Sequence, residues 1–261
     1  MTRLVKRPAL DDILAFCAED PVERVFLEDV ARRGLGRFVA LRENGRLTAL
    51  CHIGANLVPS GSNTARFADA AAGGEPRMMV GEDGAVTELW EALRERVPAP
   101  LDDRPGQPVY VLDVPPPPTG SGLRPAGIRD LALLVPAAAA AFREEIGVDA
   151  HARDPALFEW RTRAQIEQGR SWLWEEGGRI LFKAEASAWT DRAVQLQQVW
   201  VEPDLRGRGN AKRGLADLCN LLLADTPVVC LFVRPENAPA IALYESIGMQ
   251  RTISYRSVIF A

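Results

Sequence analysis

Arg206-Gly207-Arg208-Gly209-Asn210-Ala211 stands where a strand should give way to a helix. Leu196–Val201 reads as a strand, and Glu202–Leu205 holds a proline turn. Leu215, Leu218, Cys219 and Leu222 then recur at the spacing of one helix face. The first amides of a helix lack intrahelical acceptors, and the macrodipole adds partial positive charge there. Gly207 and Gly209 let the backbone approach a ligand closely. Arg206, Arg208, Lys212 and Arg213 surround the turn with cations. That combination suits a diphosphate. The chain has no G-x-x-x-x-G-K-[ST], which argues against a nucleoside-triphosphate loop. It also has no G-x-G-x-x-G with an acidic residue about 20 positions on, which argues against a dinucleotide fold.

A second block lies downstream. Val228–Val233 reads as a buried strand. Asn237 follows as a helix N-cap with Pro239 in the first turn, and Gly248 closes the helix. Between them run Ala240, Leu243 and Tyr244. The first block resembles [RQ]-x-x-G-x-[GA], the pyrophosphate loop of the GNAT N-acetyltransferases. The second is similar to their N-x-x-A-x-x-L-Y-x-x-x-G-F signature, with Met249 in place of Phe. The resemblance covers about Leu123 to Ala261 and implies an acetyl-CoA-dependent N-acetyltransferase acting on a primary amine.

The resemblance assigns roles residue by residue. Backbone amides of Val199, Trp200 and Val201 would pair with the pantetheine arm, and one would polarise the thioester carbonyl. The turn Arg206–Ala211 would hold the diphosphate, and Asn237 would contact the CoA arm. Tyr244 would protonate the departing thiolate, its phenol near pKa 10 against a thiol near 8.5. Many relatives carry a glutamate on the strand before the turn. This chain has Gln195, Gln197 and Gln198 there, and glutamine cannot act as a base. Glu185, beside Lys183 and Ser187 on a polar strand face, and Glu144 and Glu145, ahead of Gly147, are the carboxylates that could replace it. Their plainer roles are a surface Lys183–Glu185 ion pair and a solvated helix end. The missing glutamate leaves open an alternative, a non-catalytic acyl-CoA-binding sensor.

Composition narrows the partners. The 261 residues are 47% apolar with net charge −4, enough for one large or two small domains. The charges are mixed, and no basic run points to nucleic acid or a membrane surface. The acceptor is expected to be a small-molecule or protein amine. Cys17, Cys51, Cys219 and Cys230 are isolated, and no C-x-x-C pair exists, so no metal is expected. His52 beside Cys51 reads as packing. Reduced thiols and the lack of a signal-like or membrane-spanning apolar run point to a cytoplasmic protein.

Val114–Gly122, with Pro115–Pro118 and a Gly/Ser tail, reads as a linker between domains at 1–113 and 123–261. The halves follow one plan. Helix Pro21–Arg33, strand Arg37–Arg42, an Asn44-Gly45 turn and strand Leu47–Ala55 match helix Pro155–Gln168, strand Ser171–Glu175, a Gly177-Gly178 turn and strand Ile180–Ala188. Strand Arg77–Gly81, helix Val86–Val97 and strand Pro108–Asp113 are set against Leu196–Val201, Ala211–Leu223 and Val228–Val233. The expected fold is α/β (α+β): two GNAT-like domains, each a mixed, mostly antiparallel twisted sheet flanked by helices. The amino-terminal copy is expected to be degenerate, because Glu82 and Asp83 stand where the other glycine turn has arginines. Its expected jobs are covering the acceptor cleft, setting specificity or making homodimer contacts. Its removal is expected to cost acceptor recognition, or expose an apolar face, more than it costs the CoA site.

Overall fold

The computed structural model describes residues 2–260. Twelve strands form one sheet: β1 (Arg3–Val5), β2 (Arg37–Glu43), β3 (Arg46–Ile53), β4 (Asn56–Gly61), β5 (Met78–Glu82), β6 (Asp102–Leu112), β7 (Arg124–Pro125), β8 (Ser171–Glu176), β9 (Arg179–Trp189), β10 (Val194–Trp200), β11 (Val229–Phe232) and β12 (Gln250–Ile259). Their order across the sheet is β1-β2-β3-β4-β5-β12-β6-β11-β10-β9-β8-β7. Among the described residues, β4–β5 and β10–β11 are parallel and all other neighbours are antiparallel. The helices are α1 (Leu10–Cys17), α2 (Val25–Arg32), α3 (Ala68–Ala71), α4 (Asp83–Leu93), α5 (Leu131–Ile146), α6 (Ala150–Arg153), α7 (Pro155–Glu167), α8 (Asn210–Leu223) and α9 (Ala238–Ser246).

Local chemistry explains the hairpins. Asn44 and Gly45 take φ of 49° and 86°, and Gly177 and Gly178 take 59° and 78°. Two successive positive φ values give the turn whose twist matches paired strands.

The middle of the sheet departs from a simple chain of two units. Strand β6, from the amino-terminal half, lies between β11 and β12. Strand β12, the last of the chain, lies between β6 and β5. The cores follow this exchange. Tyr110 and Leu112 of β6 pack with Trp172, Phe182, Leu215 and Leu231. Val258 of β12 and the adjacent Phe260 pack with Leu41, Phe67 and Leu89. Loss of residues 1–113, expected to cost acceptor recognition or expose an apolar face more than it costs the CoA site, would also reach the sheet beside that site. Removal would strip β11 and β12 of their shared neighbour, expose unpaired ladder groups and open the apolar core. A buried ion pair adds to the joint, with Arg170 Nη2 2.6 Å from Asp29 Oδ1.

Val114–Gly122 joins β6 to β7, but its end is not a loose tether. The Asp217 carboxylate on α8 accepts from the amides of Thr119 and Ser121, both at 2.6 Å. Asn220 donates to the Pro116 carbonyl at 2.7 Å.

The parallel pairs also revise how the halves correspond. The match to β10 and β11 is β4 and β5, so α8 corresponds to residues 64–71. The glycine turn equivalent to Arg206–Ala211 is then Gly61–Thr64, not the turn at Glu82 and Asp83. Glu82 instead caps α4, accepting from Gly84 and Ala85 at 3.0 and 2.8 Å. Asp83 accepts from the Gly106 amide at 3.0 Å.

Candidate active site

Strand β10 pairs with β11 only at Val194 and Gln195. Beyond them the pairing stops, and on the other side the β9–β10 register breaks between Gln197 and Trp200. Gln198 sits at this bulge with φ of 50°, a conformation that costs a non-glycine residue energy. A buried network holds it there. Lys183 Nζ, fully buried, donates to Gln198 Oε1 at 2.8 Å and to Glu185 Oε1 at 2.9 Å. Gln197 Nε2 reaches Glu185 Oε2 at 3.4 Å. Gln195 donates to Ser187 at 2.9 Å. The surface reading of the Lys183–Glu185 pair is thus wrong, since Glu185 is only 5% exposed. Alternation along β9 placed both residues on one face, but the cleft and α5 enclose that face.

The stretch of β10 left unpaired on its β11 side lines the same cleft as the glycine turn. Gly207 and Gly209 have φ of 73° and 80°, and Gly209 is the N-cap of α8. Among the described residues, nothing accepts a hydrogen bond from the amides of Gly207 to Lys212. A Cβ built on Gly207 or Gly209 would meet no atom within 4 Å. The turn is an open cradle of donors, which fits a diphosphate. Its cations are less uniform than the sequence suggested. Arg206 is held away by Glu144, at 2.9 and 2.7 Å, and by the Val201 carbonyl at 3.0 Å. Arg208 donates to the Asp204 carbonyl at 3.1 Å, and Arg213 stacks on Trp174. Asn210 donates to the Leu205 carbonyl at 3.2 Å, and Trp200 Nε1 reaches Glu144 at 3.3 Å. Glu144 thus braces the turn from the exposed end of α5.

Asn237 caps α9 by accepting from the Ala240 amide at 3.3 Å. The cap fixes the start of a helix that carries Tyr244, 6% exposed, with its ring 5.7 Å from that of Tyr110. Tyr244 lines a cleft, and burial and a nearby charge, with no hydrogen bond, set the environment of its hydroxyl. Burial, reinforced by the Glu145 charge, pushes this phenol well above its ordinary range. Glu145 stands at the end of α5, open to the cleft yet enclosed by its walls. That enclosure raises its carboxyl, and Glu185 adds to the effect; Arg104, Arg234 and Lys183 oppose it. The structure thus brings Tyr244, Glu145 and Glu185 to one place.

The cleft holds about 1950 Å³ and is walled by both halves of the chain. The turn, β10, Asn237 and Tyr244 form one side. Glu23, Arg104 and Gln107 reach in from the amino-terminal half. Sequence reasoning missed these three, because no motif marks them and only the strand exchange carries them there.

The remaining sequence candidates are quiet. All four cysteines are buried and unpaired, and burial pushes each thiol up to about 12. His52 packs against Phe26 and Phe38, and its Nδ1 lies 3.1 Å from the Asn56 carbonyl. Among the described residues no cluster of His, Cys, Asp or Glu could hold a metal ion, and no helix is long and apolar enough to cross a membrane.

Residues 137–249 match the Acetyltransferase (GNAT) family, and residues 36–133 match a domain of unknown function, DUF4081. Solved structures share the fold along nearly the whole chain. One is a GNAT-family acetyltransferase from Colwellia psychrerythraea, at 12% identity, covering 99% of this chain and 100% of that one, with a TM-score of 0.58. Another is a GCN5-related N-acetyltransferase from Sphaerobacter thermophilus, at 18% identity, 97% and 94% coverage and a TM-score of 0.58. A third is a tandem GNAT protein from the clavulanic acid biosynthesis pathway, at 14% identity, 99% and 98% coverage and a TM-score of 0.56. No curated protein sequence matches.

Proposed function

We propose, from the premise that this chain belongs to the GNAT acetyltransferase family through residues 137–249, that it moves an acetyl group from acetyl-CoA to a primary amine held in the cleft between its halves. The observation that carries this reading is the cradle of free amides at Gly207–Lys212 beside the unpaired stretch of β10. Acetyl-CoA, when bound, supplies the thioester carbonyl that the amine attacks.

The chain's own residues do the rest. Amides of Gly207–Ala211 and the start of α8 hold the diphosphate. Amides of Val199–Val201 hold the extended arm as a neighbouring strand would and polarise the carbonyl. Asn237 spends its oxygen on the helix cap, which leaves its amide nitrogen to donate. Glu145 takes the proton from the acceptor ammonium. A carboxyl raised by enclosure is a better base near neutrality than an ordinary one. Glu185 is bound to Lys183, so its part is to hold the bulge and keep negative charge near the amine. Tyr244 keeps its proton at Oη across the working range and gives it to the departing thiolate.

The amino-terminal half takes no second acetyl-CoA. At its equivalent turn the Thr64 amide is already held by the Glu88 carboxylate at 2.7 Å. A carboxylate there repels a diphosphate and fills its donor. The reading is tested by supplying acetyl-CoA and a panel of amines and following thiol release. Turnover of any primary amine supports it; binding of acetyl-CoA without turnover of any amine returns the sensor alternative.

A further inference from the structure

The cleft has a second polar surface that the acyl-transfer residues do not use. Gln107, on β6, is 3% exposed, and its side-chain Oε1 is buried without a hydrogen-bond partner. Buried amide oxygens are nearly always paired, so an unpaired one lining a cleft is an acceptor awaiting a donor. Glu23 also lines the cleft, with a side chain 8% exposed. Its Oε2 takes both hydrogen bonds, from Ser60 at 2.8 Å and Arg24 at 2.9 Å. Its Oε1 accepts from no described group.

The two residues share one side of the sheet. Gln107 is directly opposite Tyr255 in the β6–β12 register, and direct antiparallel partners present their side chains to the same face. The Tyr255 hydroxyl donates to the Glu23 carbonyl at 2.8 Å, which sets the Glu23 segment over that face. Among the described residues Arg24 engages the Glu23 carboxylate only through Oε2, and its remaining contacts lie away from Oε1. Arg24 stacks on Phe16 and donates to its carbonyl, and Arg104 pairs with Asp102 at 2.6 Å. Of the cleft-lining arginines with no ion pair among the described residues, Arg77, Arg153 and Arg161 stand in exposed positions, and Arg234, half-buried, donates to the Glu144 carbonyl at 3.2 Å.

We propose that Gln107 and Glu23 form an acceptor subsite that takes a second ammonium group of the substrate, so that the amine acetylated is a diamine or longer polyamine. An ammonium offers three donors and no acceptor, and it meets two unpaired acceptor oxygens, one of them on a carboxylate. The subsite rests on the acyl-transfer reading above for its purpose but is measurable without turnover.

The experiment is calorimetry of the full chain, saturated with desulfo-CoA, against putrescine and against n-butylamine, which lacks the second ammonium. Putrescine is expected to bind about ten-fold or more tightly than n-butylamine. Gln107→Leu and Glu23→Gln should each remove about ten-fold of that preference. Gln107→Leu should also keep or raise Tm, because it replaces an unpaired buried amide by an apolar group. Equal affinity for the two amines, or a preference unchanged in folded Gln107→Leu, overturns the proposal. Thiol release from acetyl-CoA is a separate measurement. A diamine preference without turnover leaves the subsite standing and refutes the catalytic reading; turnover without the preference does the reverse.

Discussion

Replacing Tyr244 by Phe removes one oxygen and keeps the ring against Tyr110 at 5.7 Å. Burial and a nearby charge, with no hydrogen bond, set the environment of the hydroxyl, so its loss breaks no internal bond. A typical hydrogen bond contributes about 1 kcal/mol, and the stability change should stay below that. For a chain of this length that is a Tm shift within about 3 °C. Catalysis should respond very differently. A general acid contributes roughly 10²-fold or more, and a 10²-fold loss is about 2.7 kcal/mol of transition-state stabilisation. The assay is steady-state thiol release at saturating amine, with acetyl-CoA affinity measured in parallel. We expect kcat to fall by about 10² with Kd for acetyl-CoA within about two-fold. A folded Tyr244→Phe protein with unchanged kcat would show that the tyrosine is packing alone. A loss of activity that only tracks loss of folded protein would show the same.

Lys183→Met should destabilise the chain by about 3–5 kcal/mol, because Glu185 is left as a buried charge without its partner. Lys183→Met combined with Glu185→Leu should recover most of that, and urea titration of the two variants decides it. Glu145→Gln should cut kcat and abolish the acid limb of its pH profile. In the native chain that limb lies above the ordinary carboxylate range, since enclosure by the cleft walls raises Glu145 and the base works only when deprotonated. Burial raises Glu23 from 4.5 to about 7, so between those pH values the folded chain holds a proton that the unfolded chain has lost. Stability should therefore fall as pH rises through that window, by on the order of 3 kcal/mol, and Glu23→Gln should flatten the dependence in thermal melts.

The glycine turn and the helix after it were legible because their information is local. A strand, two glycines and an amphipathic helix are contiguous, and Asn237 and Tyr244 are held by one short helix. Asn44-Gly45 and Gly177-Gly178 fixed their hairpins for the same reason. The strand exchange was not legible, because β6 and β12 alternate like any strand and nothing in either names its neighbour. The pairing of the halves slipped by one element for a related reason. Residues 64–71 form only a 3-10 turn and the four-residue α3, too short for a periodic signal, while α4 has a strong apolar face. Strand β4 contains Pro59, a residue that weakens any strand pattern in the sequence. The Lys183–Glu185 pair looked like surface chemistry because two charges two positions apart on a strand usually are solvated. Only the elements packed over that face make it interior. Glu23 and Gln107 carry no motif, and their importance depends on what folds around them.

The central claim is that acetyl-CoA binds at the Gly207–Ala211 turn, once per chain. Calorimetry of acetyl-CoA against the native chain and Gly209→Glu tests it most directly. A Cβ at Gly209 meets nothing within 4 Å, so the only folding cost is a left-handed glutamate at φ near 80°, about 1–2 kcal/mol. Gly45→Glu, at φ of 86° and equally open, carries the same cost in the β2–β3 hairpin and serves as the control. The native chain and Gly45→Glu should bind one acetyl-CoA with matching affinity, and Gly209→Glu should show no measurable binding. Two equivalent sites per chain, or unchanged affinity in a folded Gly209→Glu protein, would contradict the assignment.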